Sequence, residues 1–167
     1  MNKDKKTGLL IIATNKYVDF LQPLIESADK FLLKRYDVTY FIFTNKDIKV
    51  ETDRKVEYIN VNHRKWPWMT LGRYNIFDDN SDKLSKMDFL YYCDVDMKFI
   101  NNVDGEIFGE RVATQHPGYY GQRGTPEKRP ESLAYVKEDE EMQYFAGGFN
   151  GGTSYEYLKM SKKLSEN

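Results

Sequence analysis

Short apolar runs alternate along the chain with a segment of helical periodicity. The runs contain few polar positions, which is typical of strands covered on both faces of a sheet. Strands are therefore expected at residues 7–14, 38–44, 56–61 and 87–93. Residues 18–32 carry apolar side chains three and four positions apart, which predicts a helix that begins near Leu21 or bends at Pro23. This alternation predicts an α/β layered domain.

The second half of the chain carries weaker signals. Trp66-Pro67-Trp68 breaks the pattern, and one helix with apolar positions up to Leu84 is expected after it. Beyond the apolar run at residues 87–93, the chain is expected to stay extended through residues 97–100. The remaining expected elements are short strands at residues 112–114 and 144–146, a long surface loop at 118–130 and a helix at 155–164.

Composition and charge narrow the classes of function. The chain has 25 Lys and Arg against 26 Asp and Glu, which is not the basic excess of a nucleic-acid-binding protein. The cluster His63-Arg64-Lys65 is interpreted as a solvated turn. Cys93 is the single cysteine, which excludes an internal disulfide and a multi-cysteine zinc site. No apolar run approaches the ~18–20 residues of a transmembrane segment, so we expect a soluble, cytoplasmic protein.

Asp94 and Asp96 directly follow the run at residues 87–93. In an extended chain, side chains two residues apart point to the same face. Two carboxylates on one face suit a hard divalent cation that keeps positions open for phosphate oxygens, whereas a pair of acids in a turn is the alternative. Because the flanking residues are apolar, the charges need a partner, and a cation, Arg73 or Lys98 would serve.

Three polar segments follow predicted strands: residues 15–17, residues 94–96 and the glycine-rich residues 147–152. Ligands of open α/β sheets bind outside the carboxyl ends of the strands, so these segments are candidate ligand contacts. The paired glycines permit close approach of the backbone to a ligand, or they form a tight irregular turn. His116, before the long loop, is either structural or a hydrogen-bond donor to a hydroxyl-rich ligand.

Several stretches together resemble glycosyltransferase family 6, the family of the blood-group A and B transferases and the α1,3-galactosyltransferases. They occur in the family's order from about Gly8 to Leu164, so the resemblance covers nearly the whole chain. The matching stretches are Asn15-Lys16-Tyr17-Val18, Trp66-Pro67-Trp68 with Arg73, residues 93–99, residues 116–121, Thr125 with Arg129-Pro130, and residues 144–152.

The resemblance implies a GT-A type nucleotide-sugar-binding fold, with a mixed, mostly parallel central sheet flanked by helices. It implies a retaining enzyme that moves galactose or N-acetylgalactosamine from a UDP-sugar to a hydroxyl of a glycan or galactoside acceptor, in α1,3 linkage. The implied cofactor is Mn²⁺ or another divalent cation, held by a DxD motif. The alternatives are a catalytically incomplete UDP-sugar-binding domain or a UDP-sugar hydrolase, with a glucose-type donor also open, and a different metal-dependent phosphate-ester enzyme.

The resemblance also implies roles for individual residues. The residues matched to catalysis are Arg73, Asp94 and Asp96, and the two acids are also matched to the metal. The residues matched to the donor are Ile12, Thr14 and Tyr17 around the uracil, Arg73, Asp94 and Val95 beside the phosphates and sugar, and Ala146, Gly147 and Gly148, which set the size of the donor sugar. The residues matched to the acceptor are His116 and Thr125.

The sequence departs from the family in one respect. The family has a distal Trp-His-Asp-Glu-type motif whose glutamate is the proposed nucleophile or stabilising base. This motif does not occur here, since Trp66 and Trp68 are the only tryptophans. We therefore expect a single GT-A domain over residues 1–167 that lacks the family's C-terminal portion and carries no membrane anchor. It is either a natural short form of the microbial or viral type or a truncated chain. The nucleophile stays unassigned.

Overall fold

A six-stranded sheet forms the centre of the computed structural model, which describes residues 5–140 and 143–166. In chain order the strands are β1 (Lys6–Ile12), β2 (Asp37–Thr44), β3 (Lys55–Asn60), β4 (Phe89–Cys93), β5 (Arg111–Gln115) and β6 (Phe145–Thr153). The helices are α1 (Leu21–Phe31), α2 (Trp68–Leu71), α3 (Arg73–Asp79), α4 (Ser81–Leu84) and α5 (Ser154–Ser165). Short 3₁₀ segments cover Asn15–Phe20, Gly105–Ile107 and Pro117–Tyr119.

The strand order across the sheet is β3-β2-β1-β4-β6-β5. The first four of these strands are parallel, whereas β6 pairs antiparallel with both β4 and β5. This confirms the predicted α/β class and its mixed, mostly parallel sheet. Because β2 and β4 lie on opposite sides of β1, the chain reverses its direction across the sheet there. Such a switch point leaves a crevice at the carboxyl ends of β1 and β4, where ligands of these folds bind.

The sheet is covered on both faces by apolar side chains. Alternate residues of β1 point to opposite faces, so Leu9 and Ile11 join one cluster with α1 while Leu10 joins the other. The second cluster includes Phe77 of α3 and Tyr157 of α5, whose rings lie 6.0 Å apart. The three β1 side chains have no exposed surface, which explains why this run shows no polar alternation.

The helices agree only partly with their patterns. Helix α1 begins at Leu21, so Pro23 lies in the first turn, where its missing N–H has no intrahelical partner to lose. The prediction of one helix after Trp66-Pro67-Trp68 is wrong, because this part of the chain forms α2, α3 and α4, which are separated at Gly72 and Asn80. Asn80 ends α3 by donating its side-chain amide to the Ile76 carbonyl at 2.8 Å. None of the helices in the two described ranges has the length and apolar composition needed to cross a membrane.

Two segments near the carboxyl end of β4 differ from expectation. Residues 97–100 follow a turn at residues 95–96 and belong to no strand. The glycine-rich residues 147–152 belong to β6, so their interpretation as an irregular turn is wrong. Strand β6 lies between β4 and β5, and this places the glycines beside the first acid of the Asp-Val-Asp sequence.

Candidate functional site

A cavity opens at the carboxyl ends of β1 and β4, where the sheet order predicts a ligand. Its volume is about 230 Å³, which is smaller than the roughly 300–1,000 Å³ of typical small-molecule sites. A nucleotide sugar would therefore fill it and extend beyond it. The lining residues are Ile12, Thr14, Tyr17, His63, Arg64, Trp66, Met69, Thr70, Tyr92, Asp94, Val95 and Asp96. The structure thus brings six of the sequence-matched residues, three from each side, into one cavity.

Tyr17 stands at the β1 side of this cavity. Its backbone N–H donates to the Thr14 carbonyl at 3.1 Å, which closes a turn directly after the strand. Asn15 within that turn has a positive φ of 50°, and its N–H donates to Asn45 Oδ1 at 2.9 Å. The Tyr17 side chain is 44% exposed. A flat ring held in a fixed turn and open to solvent is suited to stacking on a nucleobase.

Asp94 and Asp96 stand at the β4 side. The N–H of Asp94 donates to the Gly148 carbonyl at 2.8 Å, and the Asp94 carbonyl accepts from the Met97 N–H at 3.1 Å. The two acids therefore lie in a turn, and the extended-chain argument for their common face is wrong. Both still line the cavity, with Asp94 partly buried and Asp96 exposed. Val95 between them is 5% exposed and packs into the core.

Arg73 lies at the start of α3 and is 9% exposed. Its guanidinium donates to the Thr70 carbonyl at 2.8 Å and to the Gly147 carbonyl at 3.3 Å. Its Nη1 atom is 3.8 Å from Asp94 Oδ1, and its plane lies 4.5 Å from the centre of the Tyr92 ring. A buried cation with these partners is held in one place, so Arg73 provides a fixed positive charge beside the first acid.

Tyr92 and Cys93 are the last residues of β4 and carry protonated side chains. Burial raises the pKa of the Tyr92 hydroxyl, so this group is protonated and donates a hydrogen bond to Asp94 Oδ1 at 2.5 Å. Burial also raises the pKa of the Cys93 thiol to about 12, and the charges of Asp94 and Asp96 add to this shift. Cys93 is therefore a buried side chain whose thiol stays protonated at neutral pH and does not act as a nucleophile.

The glycine-rich strand β6 contacts the site through backbone carbonyl groups, because its glycines have no side chains that would keep the strand at a distance. A Cβ atom on Gly148 would lie 2.7 Å from Met97 Sδ and 3.2 Å from Asp94 Oδ2, whereas one on Gly147 would meet open space. Ala146 pairs with Thr114 of β5. Gly147 and Gly148 accept hydrogen bonds from Arg73 and Asp94, but neither they nor Ala146 are among the described residues that line the cavity.

His116 and Thr125 meet at Tyr144 rather than in the cavity lining. The His116 ring centre lies 5.8 Å from that of Tyr144, and Thr125 Oγ1 lies 3.2 Å from the Tyr144 hydroxyl. Tyr119 packs on both His116 and Tyr144 at 4.9 Å. His116 Nδ1 accepts from the Gly118 N–H at 3.1 Å, so in the neutral ring the proton is on Nε2. Nε2 has no hydrogen-bond partner among the described residues and can donate to a ligand.

The sequence reasoning found only part of the segment after β3, because it matched Trp66-Pro67-Trp68 to the family but gave no site role to His63, Arg64 or Met69. His63 and Arg64, interpreted from sequence as part of a solvated turn, line the cavity, and His63 Nδ1 lies 2.9 Å from Thr14 Oγ1. The same segment contributes Trp66, which is 85% exposed, and Met69. The missed signal is that β3 is also a parallel strand, so the residues after its carboxyl end belong at the same edge of the sheet.

The two acids of the site fit a divalent cation whose remaining ligands are phosphate oxygens and water. Among the described residues, no group of three or more His, Cys, Asp and Glu side chains is arranged to hold a metal. Asp94 and Asp96 supply two carboxylates next to a cavity. Mg²⁺ and similar hard cations are commonly held by one or two carboxylates plus substrate phosphates and water. These two carboxylates supply part of the ligand set of such a site, and phosphate oxygens or water would complete it.

Comparison with known proteins places the chain in a family. The model of glycosyltransferase family 6 matches residues 1–166. The chain is 34% identical to histo-blood group ABO system transferase 1 of Rattus norvegicus over 93% of its length, and 33% identical to globoside alpha-1,3-N-acetylgalactosaminyltransferase 1 of Canis lupus familiaris over 87%. It is 25% identical to the O-antigen biosynthesis glycosyltransferase WbnI of Escherichia coli over 92%.

The chain spans about half the length of the two mammalian relatives, 48% and 45%, and 68% of the bacterial one. The family match nevertheless extends over nearly every residue of the chain, including all the residues of the cavity. The resemblance seen in the sequence is thus confirmed at the level of the family. This chain belongs to glycosyltransferase family 6.

Proposed function

We propose that the chain binds a UDP-sugar and acts in the transfer of galactose or N-acetylgalactosamine to a hydroxyl of a galactoside, with retention and in α1,3 linkage. The observation that carries this proposal is one cavity at the sheet switch point of a family 6 member, with an aromatic ring on one side and two carboxylates on the other. Two relatives, an ABO transferase and an alpha-1,3-N-acetylgalactosaminyltransferase, support the class of sugar and linkage.

In this proposal the uracil stacks on Tyr17 at the end of β1. Ile12 and Thr14 form the floor, and the hydrogen bond between Thr14 and His63 fixes the polar edge of the pocket. The diphosphate then runs across the cavity towards β4. Arg64, which lines the same cavity, adds positive charge along this path.

Asp94 and Asp96 would hold Mn²⁺ or a similar cation against the diphosphate. Such a cation acts as a Lewis acid that stabilises the charge left on the departing UDP. Arg73 contributes a second, fixed positive charge, because its guanidinium is buried and held by the Thr70 and Gly147 carbonyls. Asp94 keeps this guanidinium oriented towards the reacting end of the donor.

The donor sugar is assigned to the side of Arg73 where β6 presents Ala146, Gly147 and Gly148. Gly147 borders open space, which leaves room for a 2-acetamido group, whereas Met97 Sδ fills the space beside Gly148. The acceptor is assigned to the cluster around Tyr144, where His116 Nε2 donates to a hydroxyl and Thr125 is exposed beside it. Tyrosine rings are suited to packing on the apolar faces of a galactoside.

Binding or hydrolysis of a UDP-sugar without transfer is the second candidate. Among the described residues, the cavity lining contains no carboxylate besides Asp94 and Asp96, and both belong to the proposed cation site. A retaining reaction by double displacement needs a further carboxylate on the opposite face of the sugar. Same-face attack by the acceptor hydroxyl would need none.

A panel of UDP-sugars with Mn²⁺ tests the proposal. UDP release and disaccharide formation are measured with and without a lactose-type acceptor, and UDP binding is measured by calorimetry. Tyr17→Ala should weaken UDP binding by about 1–3 kcal/mol, taking the loss of base–aromatic stacking as a guide. Tyr155→Ala is the control, because Tyr155 is 73% exposed and lies on α5 outside the described cavity lining. Equal UDP affinity in the two variants would show that the uracil does not stack on Tyr17. UDP release without disaccharide formation would favour the second candidate, binding or hydrolysis without transfer.

A further inference from the structure

We propose that Tyr92 is a positioning residue that fixes the carboxylate of Asp94 for the cation and the guanidinium of Arg73 for the donor. Its hydroxyl donates to Asp94 Oδ1 at 2.5 Å, and its ring lies under the Arg73 guanidinium at 4.5 Å. Tyr92 is therefore the one contact, in the described part of the site, that joins the fixed cation and the first acid on a single rigid side chain.

The orientation follows from the strand. Tyr92 pairs with Asn150 in the β4–β6 ladder and is 6% exposed, with its ring 5.8 Å from that of Phe77 in the core. A ring confined in this way cannot swing, so the position of its hydroxyl is set by the sheet. The hydroxyl in turn selects one rotamer of Asp94, because a strong hydrogen bond to a charged oxygen resists rotation.

As a consequence, the two carboxylate oxygens of Asp94 have different neighbours. Oδ1 is occupied by Tyr92 and faces Arg73, whereas Oδ2 faces the Gly148 α-carbon, where a Cβ would lie 3.2 Å away. Without the Tyr92 hydroxyl, Asp94 can rotate towards Arg73, which is 3.8 Å away, and form a closer ion pair. That pair would withdraw the carboxylate from the cation and would shift Arg73 as well.

The inference rests on the proposed function, since it concerns the same cation and donor. Tyr92→Phe is the variant, because it keeps the ring and its packing and removes only the hydroxyl. Tyr91→Phe is the matched control. The Tyr91 hydroxyl makes an equally short bond of 2.6 Å to the Ile107 carbonyl, but it points into the core on the other face of the sheet.

Three measurements separate positioning from a loss of folding. Electron paramagnetic resonance of free Mn²⁺ gives the affinity for the ion alone, calorimetry gives UDP affinity with Mn²⁺ and with EDTA, and thermal unfolding gives stability. For Tyr92→Phe we expect Mn²⁺-dependent UDP affinity to fall about tenfold, as expected for loss of one hydrogen bond to a charged group. Affinity for Mn²⁺ alone should fall in the same direction, and UDP affinity in EDTA, to which Tyr92 contributes only through Arg73, should fall less than Mn²⁺-dependent UDP affinity. Tyr91→Phe should change only the unfolding temperature.

A double-mutant cycle makes the result decisive. If Tyr92 acts through Asp94, Tyr92→Phe should have no further effect on Mn²⁺-dependent UDP binding in an Asp94→Asn background. Unchanged or tighter Mn²⁺ and UDP binding in the single Tyr92→Phe variant would overturn the inference, as would an equal loss in both backgrounds. Failure of the parent chain to bind UDP would instead remove the proposed function. In that case the affinity for Mn²⁺ alone still tests the role of Tyr92. A lower Mn²⁺ affinity in Tyr92→Phe than in Tyr91→Phe would support the positioning role, and an equal Mn²⁺ affinity would overturn it.

Discussion

Asp94 and Asp96 are two residues apart in sequence but occupy different physical environments. Asp94 accepts from the Tyr92 hydroxyl and faces the buried Arg73, whereas Asp96 is exposed in the cavity. We therefore expect the substitutions Asp94→Asn and Asp96→Asn to have different effects on folding. Both should weaken Mn²⁺-dependent UDP binding, because each removes a charged ligand of the proposed cation site.

The size of the difference follows from the contacts of Asp94. At the 3.8 Å separation from Arg73, the Coulomb energy is about 4 kcal/mol for an effective dielectric constant of ~20. The Asp94 side chain is 40% exposed, so solvent screening reduces the net value to about 0.5–1 kcal/mol. Replacing a charged acceptor by a neutral one weakens the bond from Tyr92 by about 1 kcal/mol. Asp94→Asn should thus lower the free energy of unfolding by about 1.5–2 kcal/mol.

Asp96→Asn should leave the free energy of unfolding unchanged or raise it slightly, since it removes repulsion between two nearby carboxylates. Urea denaturation at pH 7 without divalent cations measures both variants against the parent. Calorimetry with UDP and Mn²⁺ is the parallel assay of function. Equal unfolding free energies for the two variants would show that Arg73 and Tyr92 do not stabilise Asp94 in the folded state, and the description of the site would then be wrong.

Two further predictions concern the strands beside the site. Gly151→Ala should destabilise the fold by about 3 kcal/mol or more, since the new Cβ would overlap the Leu90 carbonyl oxygen and lie 2.8 Å from Tyr91 Cα, both in the backbone of β4. Gly147→Ala, which adds a Cβ in open space, is the control. Equal denaturation midpoints for the two variants would contradict the packing of β6 on β4. Cys93 is 1% exposed and its pKa is raised to about 12, so iodoacetamide at pH 8 should modify it in urea-unfolded protein but not in folded protein, as mass spectrometry would show; rapid modification of the folded chain would contradict this burial.

The parts of the site that could be predicted from sequence are those that follow the most apolar strands. Residues 7–14 and 87–93 are recognisable as buried strands, and parallel strands of an open sheet present their carboxyl ends at one edge. Tyr17 and Asp94 could therefore be assigned to a common site before any coordinates were known. His63 follows a strand whose residues are mostly partly buried or exposed, so the sequence signal for that strand was weak and its carboxyl end was not considered.

Local geometry was less predictable because tertiary contacts determine it. The turn at Asp94 is fixed by the hydrogen bond of its N–H to the Gly148 carbonyl, 54 positions further along the chain, and no local pattern contains that information. The glycines of β6 hide the alternation of a strand, since residues without side chains show no period of two. Gly151 is required there because backbone atoms of β4 occupy the space of a Cβ.

The charges of the cavity give a physical reason why the proposed cation and the proposed donor would be bound together. Asp94 and Asp96 bring two negative charges to a cavity whose lining includes Arg64 and which borders the Arg73 guanidinium. The two acids and the two arginines therefore nearly balance before any ligand arrives. A nucleoside diphosphate adds at least two negative charges next to the two carboxylates, and this repulsion opposes its binding. A divalent cation between the carboxylates and the diphosphate removes the repulsion on both sides. Linkage then requires that Mn²⁺ raise the affinity for UDP by the same factor by which UDP raises the affinity for Mn²⁺.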